Sequence, residues 1–309
     1  MNQYGAPYMG SKSQIAEDIL AILPRGKRFV DLFGGGFAMT HCAMLSGKYE
    51  EFYYNELNPL VVDMIKKAIS GEYKNERRWI DRETFYNLKD TDGYVKLCWS
   101  FGNNGGYYLY AKEIEPWKKA LHYARVLGDC SLLKEFGIDS NGSRQDIKAN
   151  KDEYKEKYIK WYLKNICLSD ADFNRLKNDL DKKIKDQKEE LRQSLQRLQS
   201  LQRLQRLQSL EINCGSYEDY QYKDGDVVYC DPPYENTAKY SEDGFNHKKF
   251  YDWVASRPYQ VYFSSYEISD TRFYKVWSKE KTQLLHGQGA GVKVQETVYC
   301  NQPDKVMLF

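Results

Sequence analysis

Residues 28 to 69 constrain the fold more tightly than any other stretch of this chain. Phe29-Val30-Asp31-Leu32-Phe33 is an apolar run of strand length that stops at Gly34-Gly35-Gly36, and Phe37 to Leu45 then reads as a helix. Glu51-Phe52-Tyr53-Tyr54 follows as a second strand. Asn58-Pro59 opens a second helix through Ile69, with Asn at the cap and Pro at the first helical position. Strand, helix, strand, helix is the unit of a parallel sheet, so an α/β domain begins here.

The alternation is interrupted and then resumes. From about Tyr73 to Asn174 polar, aromatic and basic residues mix with turn signals such as Gly102-Asn103-Asn104-Gly105-Gly106, which reads as an insertion of mixed structure. Leu176, Leu180, Ile184 and Leu191 then recur at roughly helical spacing among Lys, Asp and Glu, as in a solvated amphipathic helix. A triplet repeat follows, with Leu at 195, 198, 201, 204, 207 and 210. At about 100° per residue each three-residue step rotates Leu by about 60°, so an α-helix could not keep these leucines on one straight seam. A helix packed on several sides, a 3₁₀-like rod and a length-variable spacer all remain open. Beyond it, Asp226 to Cys230 is a strand, Lys248 to Ser256 a helix and Gln260 to Ser265 another strand. Lys281 to Leu285 and Gln295 to Cys300 form a terminal hairpin around a flexible Gly287–Gly291 loop. The expected architecture is a doubly wound, mainly parallel α/β domain built from 1–72 and 211–309. Residues 73–175 are inserted into it, and 176–210 form a helical spacer.

Composition narrows the function classes. With 41% hydrophobic residues in 309, the chain can bury a substantial core. Its formal charge of +2 means that a polyanion would have to be met by local basic patches. Seven scattered cysteines form no C-x-x-C pair and only four histidines accompany them, which argues for reduced thiols in a cytoplasm and against a zinc site. No apolar signal core or membrane-length apolar run is present.

Two constellations carry chemistry. Asp231-Pro232-Pro233-Tyr234 directly follows a strand, where open α/β sheets place their ligand crevice. An Asp carboxylate and a rigidly held prolyl carbonyl are suited to accept the two protons of an exocyclic amine, and Tyr234 offers a face to an extruded base. Taken alone, the tetrad could equally be a rigid turn. Asp31-Leu32-Phe33-Gly34-Gly35-Gly36 is a strand-to-helix turn that lets a ligand approach the backbone closely, although Met39 occupies the third glycine position of a dinucleotide fingerprint. Glu56 ends the next strand, 20 residues beyond Gly36, where an acid can hold two ribose hydroxyls. Turn and acid together indicate an adenosine-containing cofactor without saying which.

With both constellations and the N-terminal Tyr8-Met9-Gly10-Ser11-Lys12 in one order, the chain resembles the DNA adenine methylase (Dam) family over its first 70 residues and from about Ile212 onward. The resemblance implies a Rossmann-like methyltransferase fold and S-adenosylmethionine as cofactor, contacted by Tyr8, Lys12, Asp31, Phe33, Gly34, Gly36, Glu56 and Asp231. It implies Asp231, Pro232, Pro233 and Tyr234 as the catalytic tetrad, acting on the N6 amine of an adenine flipped out of double-stranded DNA. No metal is called for, because the sulfonium cofactor already carries an activated methyl group. Asp at the first tetrad position is the adenine-type residue in such enzymes. Ser there goes with the cytosine amine, and Asn with relatives acting on protein glutamine or some RNAs.

Target recognition is expected from the insertion. Lys74, Arg77, Arg78 and Arg82 lie near Trp79, while Asn103, Asn104 and Tyr107 occupy a loop; Arg and Asn suit guanine and adenine edges, and Lys suits phosphates. The Gly102–Tyr107 run only partly resembles the hairpin of GATC-specific members, which leaves the target sequence open. The resemblance also admits a restriction endonuclease companion and leaves the oligomeric state unassigned. Three other readings compete: a non-catalytic DNA-binding specificity module on the same fold, a methyltransferase acting on RNA or a protein amide, and an adenosine-cofactor oxidoreductase, which Met39 and the tetrad disfavour.

Overall fold

The computed structural model describes residues 3–166, 170–186, 190–206, 209–235, 244–283 and 292–303. The chain divides into two compact units, one of Met1–Gly71 with Arg197–Phe309 and the other of Glu72–Gln196.

The first unit is built on a seven-stranded sheet of β1 (Arg28–Asp31), β2 (Glu51–Glu56), β3 (Leu210–Cys214), β4 (Asp226–Cys230), β5 (Val261–Ser265), β6 (Tyr274–Gln283) and β7 (Val292–Cys300). Their order across the sheet is β3-β2-β1-β4-β5-β7-β6. The first five run parallel, and β7 runs antiparallel to both β5 and β6. This is the mixed, mostly parallel α/β sheet of a Rossmann-like methyltransferase fold. Strand order reverses at β1, which lies between β2 and β4, so a crevice opens at the carboxyl ends of β1 and β4.

Helices α1 (Ala16–Ile22), α2 (Ala38–Ser46) and α3 (Pro59–Ser70) accompany the first strands. The start of α3 has the expected chemistry: Asn58 accepts a hydrogen bond from the Leu60 amide at 3.0 Å, with Pro59 first in the helix. The register of β1 against β4 is pinned at their amino ends, where Arg28 makes two 2.8 Å bonds to the Asp226 carboxylate directly opposite. Val30, Val228, Val261 and Phe263 pack with Phe250, Trp253 and Val254 of the His247–Ala255 helix into a dry core.

The hairpin differs from expectation. Its first strand begins at Tyr274 rather than Lys281, because pairing with β7 extends along a polar, amphipathic stretch that hydropathy alone does not mark. The Gly287–Gly291 loop lies outside the described residues.

The leucine repeat is helical from Glu190 to Leu201 and then tightens to a 3₁₀ turn over Gln202–Arg206. Leu198 and Leu201 in the α-helical part and Leu204 in the 3₁₀ turn are all buried, and tightening to three residues per turn lets Leu204 stay on the side of Leu201.

The second unit is helical rather than mixed. Its regular structure among the described residues consists of helices, with one isolated antiparallel bridge between Ser100 and Tyr108. Its short helices are capped by acids such as Asp81 and Asp92, whose side chains accept bonds from the amides of their first turns. Aromatic packing fills its interior: Trp79 lies parallel to Tyr110 at 5.6 Å and edge-on to Trp99 at 5.2 Å. Leu180 and Ile184 are buried as their helical spacing predicts.

Candidate active site

The carboxyl edge of the sheet gathers residues that are far apart in sequence. Asp31 ends β1, Glu56 ends β2 and Asp231 immediately follows β4. Because β7 runs antiparallel, its early residues reach the same edge. Thr297 pairs with Ser265, the last residue of β5, which places Glu296 just beyond it.

Lys12 links two of these acids, Asp231 and Glu296. Its Nζ donates to Asp231 Oδ2 at 2.7 Å, stands 3.6 Å from Glu296 Oε1 and lies 4.8 Å from the centre of the Tyr234 ring. The Tyr234 hydroxyl donates to Asp231 Oδ1 at 3.1 Å and contacts Glu296 Oε1. Burial works against the Lys12 charge, but Asp231 and Glu296 outweigh it and hold the ammonium above its ordinary pKa. Burial raises the Asp231 pKa; Lys12 opposes the rise and Glu296 adds to it.

Each tetrad residue has an assigned place. His247 Nε2 lies 2.9 Å from the Pro233 carbonyl, tethering the tetrad to the start of the following helix. The Pro232 carbonyl has no hydrogen-bond donor among the described residues and remains available as an acceptor. The Tyr234 ring differs from expectation: it is only 9% exposed, between the Lys12 ammonium and the edge-on ring of Tyr266 at 4.7 Å. In this arrangement its hydroxyl brackets Asp231, and its face is not open for stacking.

The glycine turn is a close-packed cradle. A Cβ on Gly34 would lie inside the Tyr54 ring, and one on Gly36 would strike Tyr8 and the Ala6 carbonyl. Gly35 takes a left-handed φ of +44°, so its amide turns toward Glu56 Oε2 at 2.9 Å. Glu56 Oε1 accepts from the Asn58 amide at 2.9 Å, and burial raises the carboxyl's pKa. Phe33 stacks on Tyr217 at 5.1 Å and meets Phe250 edge-on at 5.5 Å, making a flat apolar surface beside the turn. Tyr8 lies over the turn, close to Gly35 and Gly36.

Asp31 is buried with one oxygen bonded to Thr40 Oγ1 at 2.8 Å, while Oδ1 has no partner. Burial first, then the neighbouring charges of Asp231 and Glu56, push its carboxyl up to about 7. An orphaned buried acceptor, a cradle that excludes any Cβ and an excess of carboxyls over the single Lys12 ammonium among these site residues fit a ligand with a flat apolar end, hydroxyls and positive charge. S-adenosylmethionine has all three.

Sequence reasoning missed Glu296, Tyr217, Tyr266 and His247. Glu296 and Tyr266 stood in ordinary strand-like runs, and only the antiparallel return of β7 brings Glu296 to the site.

The residues expected to touch DNA all lie in the second unit, in different states. Arg77 is exposed and its guanidinium has no acceptor among the described residues; Tyr107 is 75% exposed. Arg78 is held by Glu76 at 2.7 Å, and Arg82 by Glu115 and the Tyr110 carbonyl. Asn103 has a left-handed φ of 53° and donates to the Leu97 carbonyl at 2.8 Å, while Asn104 accepts from the Gly106 amide at 2.7 Å. A groove of about 530 Å³ runs beside Arg77, Arg78, Trp79, Tyr123 and Leu127.

Among the described residues no group of three or more His, Cys, Asp or Glu side chains is placed to hold a metal ion, and no helix is long and apolar enough to cross a membrane. Comparison with curated proteins returned no match. Residues 8–286 match the model of the D12 class N6 adenine-specific DNA methyltransferases, a span that opens at Tyr8 and contains the glycine turn, Glu56 and the tetrad. The chain therefore belongs to that family, and it is an S-adenosylmethionine-dependent enzyme that methylates the N6 amine of adenine in DNA.

Proposed function

We propose that this protein acts site-specifically on double-stranded DNA, taking the target adenine out of the stack. The Lys12–Asp231 pair supports the placement of the reacting centre, because it joins the N-terminal motif to the tetrad at 2.7 Å, and the exposed Arg77 and Tyr107 support contact with DNA. Asp31, Glu56, the Gly34 to Gly36 turn, Phe33, Tyr8 and Lys12 hold the cofactor. Glu56 has lone pairs left for ribose hydroxyls, Asp31 Oδ1 accepts from the cofactor's amino group, and Phe33 with Tyr217 faces its adenine. Once bound, the cofactor supplies a methyl group already activated on a sulfonium.

The protein's own residues do the rest. Asp231 and the Pro232 carbonyl accept hydrogen bonds from the two N6–H groups, which draws the nitrogen lone pair out of conjugation with the purine. Lys12 and the Tyr234 hydroxyl fix the carboxylate so that little reorganisation is needed during transfer. The proton that N6 sheds after methylation has Asp231 as its acceptor, a carboxyl whose proton affinity burial already raises. Residues 73–175 read the sequence, with Arg77 and Tyr107 on the contacting surface; a restriction endonuclease companion fits this assignment.

Methyl incorporation into matched duplex and single-stranded DNA tests the proposal. Faster transfer to duplex, confined to one short sequence context, supports it. Equal transfer to all adenines in single strands would remove both base flipping and site specificity.

A further inference from the structure

The N-terminal loop that carries Tyr8 and Lys12 belongs to no sheet, so its backbone groups must find partners elsewhere. For Tyr4, Gly5 and Ala6 the accounting closes. The Tyr4 amide donates to Ser13 Oγ at 2.7 Å, the Gly5 amide to His41 Nδ1 at 2.9 Å and the Ala6 amide to the Gly36 carbonyl at 2.6 Å. All three carbonyls are taken by one side chain: Arg197 donates to Tyr4 O at 3.0 Å, Gly5 O at 3.2 Å and Ala6 O at 2.7 Å. The same guanidinium reaches Ser11 Oγ at 3.5 Å, next to Lys12.

Arg197 is the third residue of a Leu-Gln-Arg triplet in the repeat. Its neighbours Leu198 and Leu201 are buried, which fixes the rotation of the helix and aims the guanidinium at the loop. Arginine suits the task because its planar fork presents several donors at once, whereas lysine presents a single ammonium. His41 complements it: burial first, and then the Arg197 charge, hold the imidazole near a pKa of about 4, so it stays neutral and can accept the Gly5 proton. Pro7 follows directly, with a fixed φ and no amide to satisfy, so the anchored carbonyls pass their position to Tyr8.

We infer that Arg197 is a positioning residue for the methyl-transfer site, clamping residues 4–6 and Ser11 so that Tyr8 stands over the glycine turn and Lys12 at Asp231. The repeat thereby contributes to cofactor binding. This rests on the proposed role of Tyr8 and Lys12 in holding S-adenosylmethionine.

The test compares Arg197→Gln and Arg197→Lys with wild type in three measurements: hydrogen exchange of residues 4–11 without ligand, calorimetric affinity for S-adenosylhomocysteine, and methyl-transfer kinetics. Arg197→Gln should speed exchange at the Gly5 and Ala6 amides and weaken the ligand by about tenfold. It should raise KM for S-adenosylmethionine while kcat stays within about twofold, since bound cofactor restores the loop. Arg197→Lys should fall between the two, and it carries the test alone where the Gln variant does not fold. Wild-type exchange and affinity in both variants would overturn the inference, as would lost kcat with KM unchanged. A wild-type protein that does not bind S-adenosylhomocysteine would instead overturn the cofactor reading on which it rests.

Discussion

Lys12 Nζ and Asp231 Oδ2 stand 2.7 Å apart although 219 residues separate them in the chain. The pair links the N-terminal Tyr8 to Lys12 motif to the Asp231 to Tyr234 tetrad, and Glu296 gives Lys12 a second anion at 3.6 Å. An ammonium this deeply buried is retained only where acids compensate its lost hydration, and here two do.

Lys12→Met is therefore expected to be severe. It leaves two buried carboxyls facing each other, and breaking a buried pair costs about 3–5 kcal/mol. Single-turnover methyl transfer should fall by about a hundredfold or more, with a lower melting temperature. Turnover close to wild type would show that the pair is incidental.

Glu296→Gln should act through pH. Burial first, with Glu296 adding to it, holds the Asp231 carboxyl above its ordinary pKa, and Lys12 opposes both. The reaction needs Asp231 ionised, so activity is lost as pH falls through that raised value. Removing the Glu296 charge lowers the proton affinity of Asp231. The acid limb of kcat against pH should then move to lower pH, and an upward or absent shift would contradict the assignment.

Much of this site was legible in the sequence because each part ends a strand with a recognisable turn. Asp31 before three glycines, Glu56 before Asn58-Pro59 and Asp231 before two prolines all announce the carboxyl edge of a parallel sheet. Glu296 was not legible, since an acid in an ordinary β-rich run gains its role only from the antiparallel course of β7. Arg197 was hidden by its repeat, where it shares its Leu-Gln-Arg triplet with Arg203 and Arg206 and burial of Leu198 and Leu201 decides which arginine meets the loop. Asn103 shows what loop composition leaves out: its backbone is left-handed and its Nδ2 donates to the Leu97 carbonyl, neither of which the sequence marks.

Leu201→Ala tests whether the repeat belongs to the core. Leu201 is fully buried, so the cavity should cost about 2–5 kcal/mol, read as a lower urea midpoint. An unchanged midpoint would make the repeat a free spacer.

Arg77→Ala and Asn103→Ala should separate recognition from folding. The first removes an exposed guanidinium that has no acceptor among the described residues, and should weaken DNA binding with a salt slope shallower by about one, without lowering stability. The second should lower stability while leaving the salt slope intact. The reverse pattern would reassign both residues.

The most direct test is mass spectrometry of nucleosides from unmethylated duplex DNA after incubation with S-adenosylmethionine and either the wild-type protein or Asp231→Ala. The structure predicts N6-methyldeoxyadenosine with wild type and none above background with Asp231→Ala, while the variant still binds S-adenosylhomocysteine. Equal N6-methyldeoxyadenosine from both proteins would contradict the role given to Asp231.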